Sequence, residues 1–141
     1  MKTVIAIIFA YFVNTRNKKW ISKPIQSQNK TFKKLIKSAS NTEFGQKHDF
    51  QNIYSHEQYQ KRVPVRDYEQ LKPYIEKAVE GHKDILWPGK PLYFAKTSGT
   101  TSGAKYIPIT KESIKTHIKS ARDALLNYFI KTKNFTLLKG K

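Results

Sequence analysis

The sequence predicts an α/β fold, with helices through the first two-thirds followed by strand, loop, strand and helix. Three observations carry this expectation. Apolar residues recur at helical spacing between Ser22 and Ser40 and again after Asp67. Two short apolar runs, Leu92 to Lys96 and Tyr106 to Ile109, flank a glycine-containing polar segment, as two strands about a loop would. Thr110 then stands as an N-cap before a long stretch in which Ile114, Ile118, Ala121, Leu125 and Tyr128 share one helical face.

Taken in order, residues 1–21 begin with the apolar run Val4 to Val13 and continue Asn14-Thr15-Arg16-Asn17-Lys18-Lys19-Trp20. The run falls short of the roughly 20 apolar residues that span a bilayer, and no small-residue cleavage site follows it. An amphipathic or buried first helix ending in a basic turn is expected, without stable membrane insertion. From Ser22 to Ser40 a helix should turn Ile25, Phe32, Leu35, Ile36 and Ala39 inward and its lysines outward. Asn41-Thr42-Glu43-Phe44-Gly45 reads as its stop, with Gly45 in the left-handed conformation that ends a helix cheaply.

His48 and Asp49 are adjacent, so they read as turn residues and not as a catalytic pair. Ser55 caps a short helix through Arg62, with Glu57 in its first turn, and Val63-Pro64-Val65 is an extended break. Asp67 opens the next helix, and Gln70 three residues on completes a capping box. Arg66 and Asp67 read as a helix entry and a surface pair. Pro73 is expected to start or kink the turn bearing Tyr74, Ile75, Ala78 and Val79, and Gly81 to end it. In the turn-rich Leu86-Trp87-Pro88-Gly89-Lys90-Pro91, Trp87 reads as a packing anchor. Tyr68, Tyr74 and Tyr93 are expected at helix–strand contacts.

A two-stranded hairpin is marginal by itself, and the final helix has no partner for its apolar face within this sequence. Residues 22–141 are therefore expected to be an incomplete, truncated part of a larger domain, with the remainder of the same protein as the missing partner.

The chain has 141 residues, a formal charge of +17, no cysteine and 38% hydrophobic residues. That apolar content excludes a disordered chain. The lack of cysteine excludes disulfides and thiolate chemistry and fits a cytoplasmic setting. His48, His56, His82 and His117 are scattered without ligand spacing, so no metal site is expected from them. A basic domain invites a nucleic-acid reading. The positive charge is spread along the chain, however, and lysine supplies it apart from Arg16, Arg62, Arg66 and Arg122. Arginine is the better bidentate reader of phosphates and base edges, so no specific nucleic acid is expected.

Chemical character concentrates in Ala95 to Lys105, where Thr97, Ser98, Thr100, Thr101 and Ser102 bring hydroxyls, Gly99 and Gly103 bring backbone freedom, and Lys105 closes with a charge. Glycines let backbone N–H groups approach an anion, hydroxyls add donors, and the lysine adds a mobile cation. Those are the requirements for holding the β- and γ-phosphates of a nucleotide. The ATPase P-loop pattern is not met, because Gly99 and Gly103 are too close and Ala104 precedes the lysine. No dinucleotide fingerprint is present. Ser102-Gly103-Ala104-Lys105 fits the S-x-x-K of penicillin-recognising enzymes, but that serine should open a helix, and Pro108 with its β-branched neighbours argues for a strand. A functionless polar hairpin would not need five hydroxyls.

Thr97 to Lys105 resembles the phosphate-binding signature of adenylate-forming enzymes, most of which read T-S-G-T-T-G-x-P-K. Here Ser102 is an added residue before the second glycine, and alanine replaces the proline. This variant is similar to the auxin-responsive promoter (Gretchen Hagen) family of acyl acid–amido synthetases and their bacterial relatives. Asn41-Thr42-Glu43-Phe44-Gly45, His48-Asp49-Phe50, Val63 to Glu69, Pro73-Tyr74-Ile75 and Leu86 to Pro91 resemble the same family, so the likeness spans about residues 22–130.

The resemblance implies the helical beginning of an adenylate-forming enzyme's large domain, then its phosphate hairpin and the next helix. It implies ATP with Mg²⁺, a carboxylic acid and an amino acid acceptor, with coenzyme A as the rival acceptor. An acyl-adenylate and pyrophosphate would form first; an amine would then take the acyl group and release AMP. Carried over by position, residues Thr97, Ser98, Gly99, Thr100, Thr101, Ser102, Gly103 and Lys105 would bind the nucleotide phosphates. Lys105 would be the catalytic cation that steadies the leaving pyrophosphate. The rest of the family's machinery is not in this sequence, so the chain is expected to be inactive alone.

Overall fold

The structure, a computed structural model, describes residues 2–98 and 103–134. Its elements are α1 (Lys2–Ile21), α2 (Pro24–Ala39), α3 (Glu43–Lys47), a 3₁₀ turn at Phe50–Asn52, α4 (His56–Arg62), α5 (Tyr68–Val79), β1 (Tyr93–Lys96), β2 (Tyr106–Ile109) and α6 (Lys111–Thr132). The described chain is mostly helical with one two-stranded antiparallel sheet, in line with the α/β expectation at that coarse level. It divides into two compact units. One draws on the chain's ends, up to Gln28 and from Ile114, and the other spans Asn29–Ser113.

In the first unit α1 packs on the later part of α6. Ala10 and Val13 of α1 meet Leu126 and Phe129 of α6, with Ile130 beside them. Arg16 donates to the Asp123 carboxylate at 3.1 Å, and Asn17 reaches the same oxygen at 3.5 Å. Arg122 grips the other Asp123 oxygen at 2.8 Å. Burial works to raise the Asp123 carboxyl, but the hydrogen bonds and charge of Arg122, with Asn17 and Arg16, leave it below its ordinary value.

Four expectations fail in this unit. The apolar face of α6 does find a partner within this chain, because α1 supplies Ala10 and Val13 against Leu126 and Phe129. The basic residues after Val13 form no turn, because α1 continues through them to Ile21. Nor is α1 amphipathic: its apolar residues surround it, and Val4, Ile5, Ile8 and Phe12 are exposed while Ala10 and Val13 are buried. On α6, the expected stripe of Ile118, Leu125 and Tyr128 is exposed, and the adjacent stripe of Leu126 and Phe129 is buried. Both stripes have helical spacing, so periodicity cannot choose between them; the partner helix does.

The second unit holds two clusters that share Phe44. One contains Ile36, Ala39, Phe50 and Ile53, flanked by Phe32, Tyr59, Val63 and Trp87. The other contains Tyr74, Ala78 and Ile85, flanked by Leu71, Leu86 and Phe94. Of the face expected on α2, Ile36 and Ala39 are buried, but Ile25 and Leu35 are exposed.

Gly45 also departs from expectation. It lies inside α3, not at the end of α2, and an added Cβ would stand 2.0 Å from the Ala39 carbonyl oxygen. Its missing side chain lets α3 close on the end of α2. Thr42 secures that corner by accepting the Gly45 N–H at 3.0 Å and donating to the Ala39 carbonyl at 2.7 Å. The Glu43 and Phe44 N–H groups at the start of α3 donate to the carbonyls of Asp84 and Ile85.

Three further helix signals act as expected, and one, Pro73, does not. Ser55 accepts the Gln58 N–H at 3.3 Å and caps α4. Asp67 and Gln70 form a reciprocal capping box at 2.9 and 3.0 Å. Gly81, at φ +93°, closes α5: its N–H reaches the Ala78 carbonyl, and the His82 N–H reaches that of Lys77. This is a Schellman motif. Pro73 neither starts nor interrupts α5, which runs through it from Tyr68.

Candidate phosphate-binding site

The hairpin pairs Tyr93 with Ile109 and, at its other end, Lys96 with Tyr106. Pro108 is tolerated because both strands are edges of a two-stranded sheet. The ladder is extended past Lys96 by two bonds at the mouth of the loop. The Thr97 N–H donates to the Lys105 carbonyl at 3.0 Å, and the Lys105 N–H reaches Thr97 Oγ1 at 3.4 Å. Thr97 and Lys105 therefore face each other across the neck of the segment. Because the Thr97 hydroxyl oxygen serves as an acceptor, its proton is left to donate outward.

Gly103 has φ +78°, and a Cβ there would meet nothing within 4 Å. The position needs glycine for its backbone conformation, not for close packing. Thr97, Ser98 and Gly103 are exposed, and Lys105 is half-buried. Gly99, Thr100, Thr101 and Ser102 lie outside the described residues.

Tyr68, the first residue of α5, ties this neck to the helical part. Its hydroxyl accepts the Tyr106 N–H at 2.8 Å. The Lys105 ammonium lies 5.2 Å from the centre of its ring, a cation–π distance. The helix–strand contact expected of Tyr68 is present; Tyr74 is buried in the cluster that includes Phe94, whereas Tyr93 is mostly exposed. The link between Tyr68 and Lys105 had no signal in the sequence, because the two residues belong to different elements and show no shared spacing.

Other singled-out residues have structural places. His48 is a turn residue at the C-cap of α3, but it is buried. Its Nδ1 lies 2.8 Å from the Arg62 carbonyl oxygen, and its Nε2 lies 3.3 Å from Arg66 Nη2. A ring with its proton on Nδ1 satisfies both contacts. Arg66 forms no surface pair with Asp67; it lies over the rings of Phe44 and Tyr74 at 5.6 and 5.9 Å. Trp87 packs beside the Ile36 cluster and donates to Glu112 at 3.3 Å, as a packing anchor should. Among the described residues no group of three or more His, Asp or Glu is arranged to hold a metal, and no helix is long and apolar enough to cross a membrane.

Comparison with known proteins places this geometry in a family. The model of the GH3 family N-terminal domain matches residues 15–140. The chain belongs to the GH3 family. It is similar to a probable indole-3-acetic acid-amido synthetase, GH3.13, of Oryza sativa subsp. japonica, at 36% identity over 76 residues, covering 51% of this chain and 16% of the relative. It is similar to the jasmonoyl–L-amino acid synthetase GH3.5 of the same plant, at 26% identity over 116 residues, covering 81% and 19%. A third relative is the indole-3-acetic acid-amido synthetase GH3.2 of Arabidopsis thaliana, at 29% identity over 93 residues, covering 64% and 17%. The matches thus cover less than a fifth of the length of each of these curated relatives.

Proposed function

We propose that this chain is the amino-terminal part of an ATP-dependent ligase that adenylates a carboxylic acid and passes the acyl group to the amine of an amino acid. The observation that carries the proposal is the family match across residues 15–140, which encloses the hydroxyl- and glycine-rich neck between β1 and β2. The relatives' names as amido synthetases support the choice of an amine over coenzyme A as the acceptor. In this reading residues 1–21 precede the adenylating domain, which begins within residues 22–141 and whose remainder lies further along the protein. The absence of cysteine supports a cytoplasmic site of action.

In the first step a carboxylate oxygen attacks the α-phosphorus of ATP, and the bond to the bridging oxygen breaks with pyrophosphate as leaving group. In the second, the amine nitrogen attacks the acyl carbon, AMP departs with the bonding electrons, and the amine loses its proton. Ser98, Thr100, Thr101 and Ser102 donate to phosphate oxygens, Gly99 and Gly103 allow the backbone to approach, and Thr97 holds the neck closed. Lys105 meets the charge that grows on pyrophosphate, where positioned charge gives most of the help. Mg²⁺ would ride mainly on the phosphate oxygens and water, its usual mode with nucleotides, and would supply charge neutralisation there.

The test is product analysis on the full-length protein with ATP, Mg²⁺, a panel of indole-3-acetic, jasmonic, benzoic and medium-chain fatty acids, and mixed amino acids. An acyl–amino acid amide with equimolar AMP and pyrophosphate is expected. A thioester formed only when coenzyme A is supplied, or ADP in place of AMP, would overturn the proposal.

A further inference from the structure

We propose that Tyr68 is a positioning residue for Lys105, placing its ammonium at the mouth of the phosphate segment; this rests on the reading of residues 97–105 given above. One side chain makes both contacts that fix the exit of the segment. Its hydroxyl takes the Tyr106 N–H at 2.8 Å, which holds the backbone next to Lys105. Its ring lies 5.2 Å from the Lys105 ammonium, which restrains the tip of the side chain.

Tyr68 is itself well anchored. It follows the capping-box residue Asp67, and α5 is held down by buried Tyr74, Ile75 and Ala78. Lys105 needs such a guide, because an ammonium on a flexible four-carbon stem loses much rotamer freedom when it is fixed. Among the described residues no carboxylate pairs with Lys105, so a ring, not a counter-charge, is what holds it. A ring face attracts a cation weakly enough to yield to phosphate. The ammonium is thereby kept within reach without being neutralised, and part of the ordering cost is met before the nucleotide arrives.

The experiment is a double-mutant cycle on the full-length protein, read by ATP–pyrophosphate exchange with the same acid panel. Tyr68→Leu should lower exchange roughly five-fold, the scale of a lost cation–π contact. In a Lys105→Ala background the same change should alter the residual exchange by less than about two-fold, because coupled residues are not additive. Tyr68→Phe keeps the ring but gives up the hydroxyl that takes the Tyr106 N–H, so it should recover most, not all, of what Tyr68→Leu loses. A Tyr68→Phe variant as impaired as Tyr68→Leu would overturn the part assigned to the ring. An equal loss from Tyr68→Leu in both backgrounds would reveal a merely structural role and overturn the inference. So would an unaffected Tyr68→Leu beside a strongly impaired Lys105→Ala, with the ligase reading intact. No exchange by the unsubstituted protein would remove the ligase reading and this inference together.

Discussion

Where α3 closes on α2, an ordinary Cβ at position 45 would sit 2.0 Å from the Ala39 carbonyl oxygen, a backbone atom that cannot swing aside. Gly45→Ala should therefore destabilise the protein by about 3 kcal/mol, at the upper end of overpacking costs, as read by chemical denaturation. Loss of less than about 1 kcal/mol would mean that the corner relaxes easily. The sequence offers only a glycine after a helix, which reads equally well as a left-handed terminator. The distinction depends on which backbone lies across from it, and that is a tertiary fact. Arg66 teaches the same lesson: its neighbour Asp67 suggests an ion pair, yet the guanidinium spans Phe44 and Tyr74. Thr97 and Lys105 could be read as the two ends of one loop, because two short apolar runs flanking a glycine-containing segment are a local pattern.

Among the elements, those with local start and stop chemistry were readable and those defined by a partner were not. Ser55, Asp67 with Gln70, and Gly81 each mark a helix end by hydrogen bonds within a few residues. Asp67→Ala removes the acceptor for the Gln70 N–H and should cost about 1 kcal/mol in thermal or denaturant unfolding. By contrast, α6 carries two apolar stripes, and only its contact with Ala10 and Val13 of α1 selects Leu126 and Phe129.

The α1–α6 pair also has a pH signature. The folded-state value of Asp123 lies below the ordinary 3.8, so its contribution is present above that value and is lost as pH falls through the folded-state value. Asp123→Asn should lower stability at pH 7 by about 1 kcal/mol, because Arg16 and Arg122 are partly exposed. The difference from the unsubstituted protein should shrink as pH is taken below 3.8. A pH-independent difference would show that packing, not charge, is what the variant loses.

For the whole molecule, the formal charge of +17 is the most conspicuous bulk property and the least informative about function. Lysines spread along the chain solvate its surface, whereas the residues we propose for phosphate binding lie at one neck between β1 and β2, fastened by Tyr68 to the helical part. The family match over residues 15–140 encloses that neck. In the proposed mechanism Lys105 meets the pyrophosphate charge during adenylation. The decisive measurement is acid-dependent ATP–pyrophosphate exchange in the full-length protein, with and without Lys105→Ala. Exchange that requires the acid and falls about a hundred-fold in the variant is the predicted result, the scale of losing one preorganised charge stabiliser. Exchange that proceeds equally well in the variant would remove Lys105 from the mechanism.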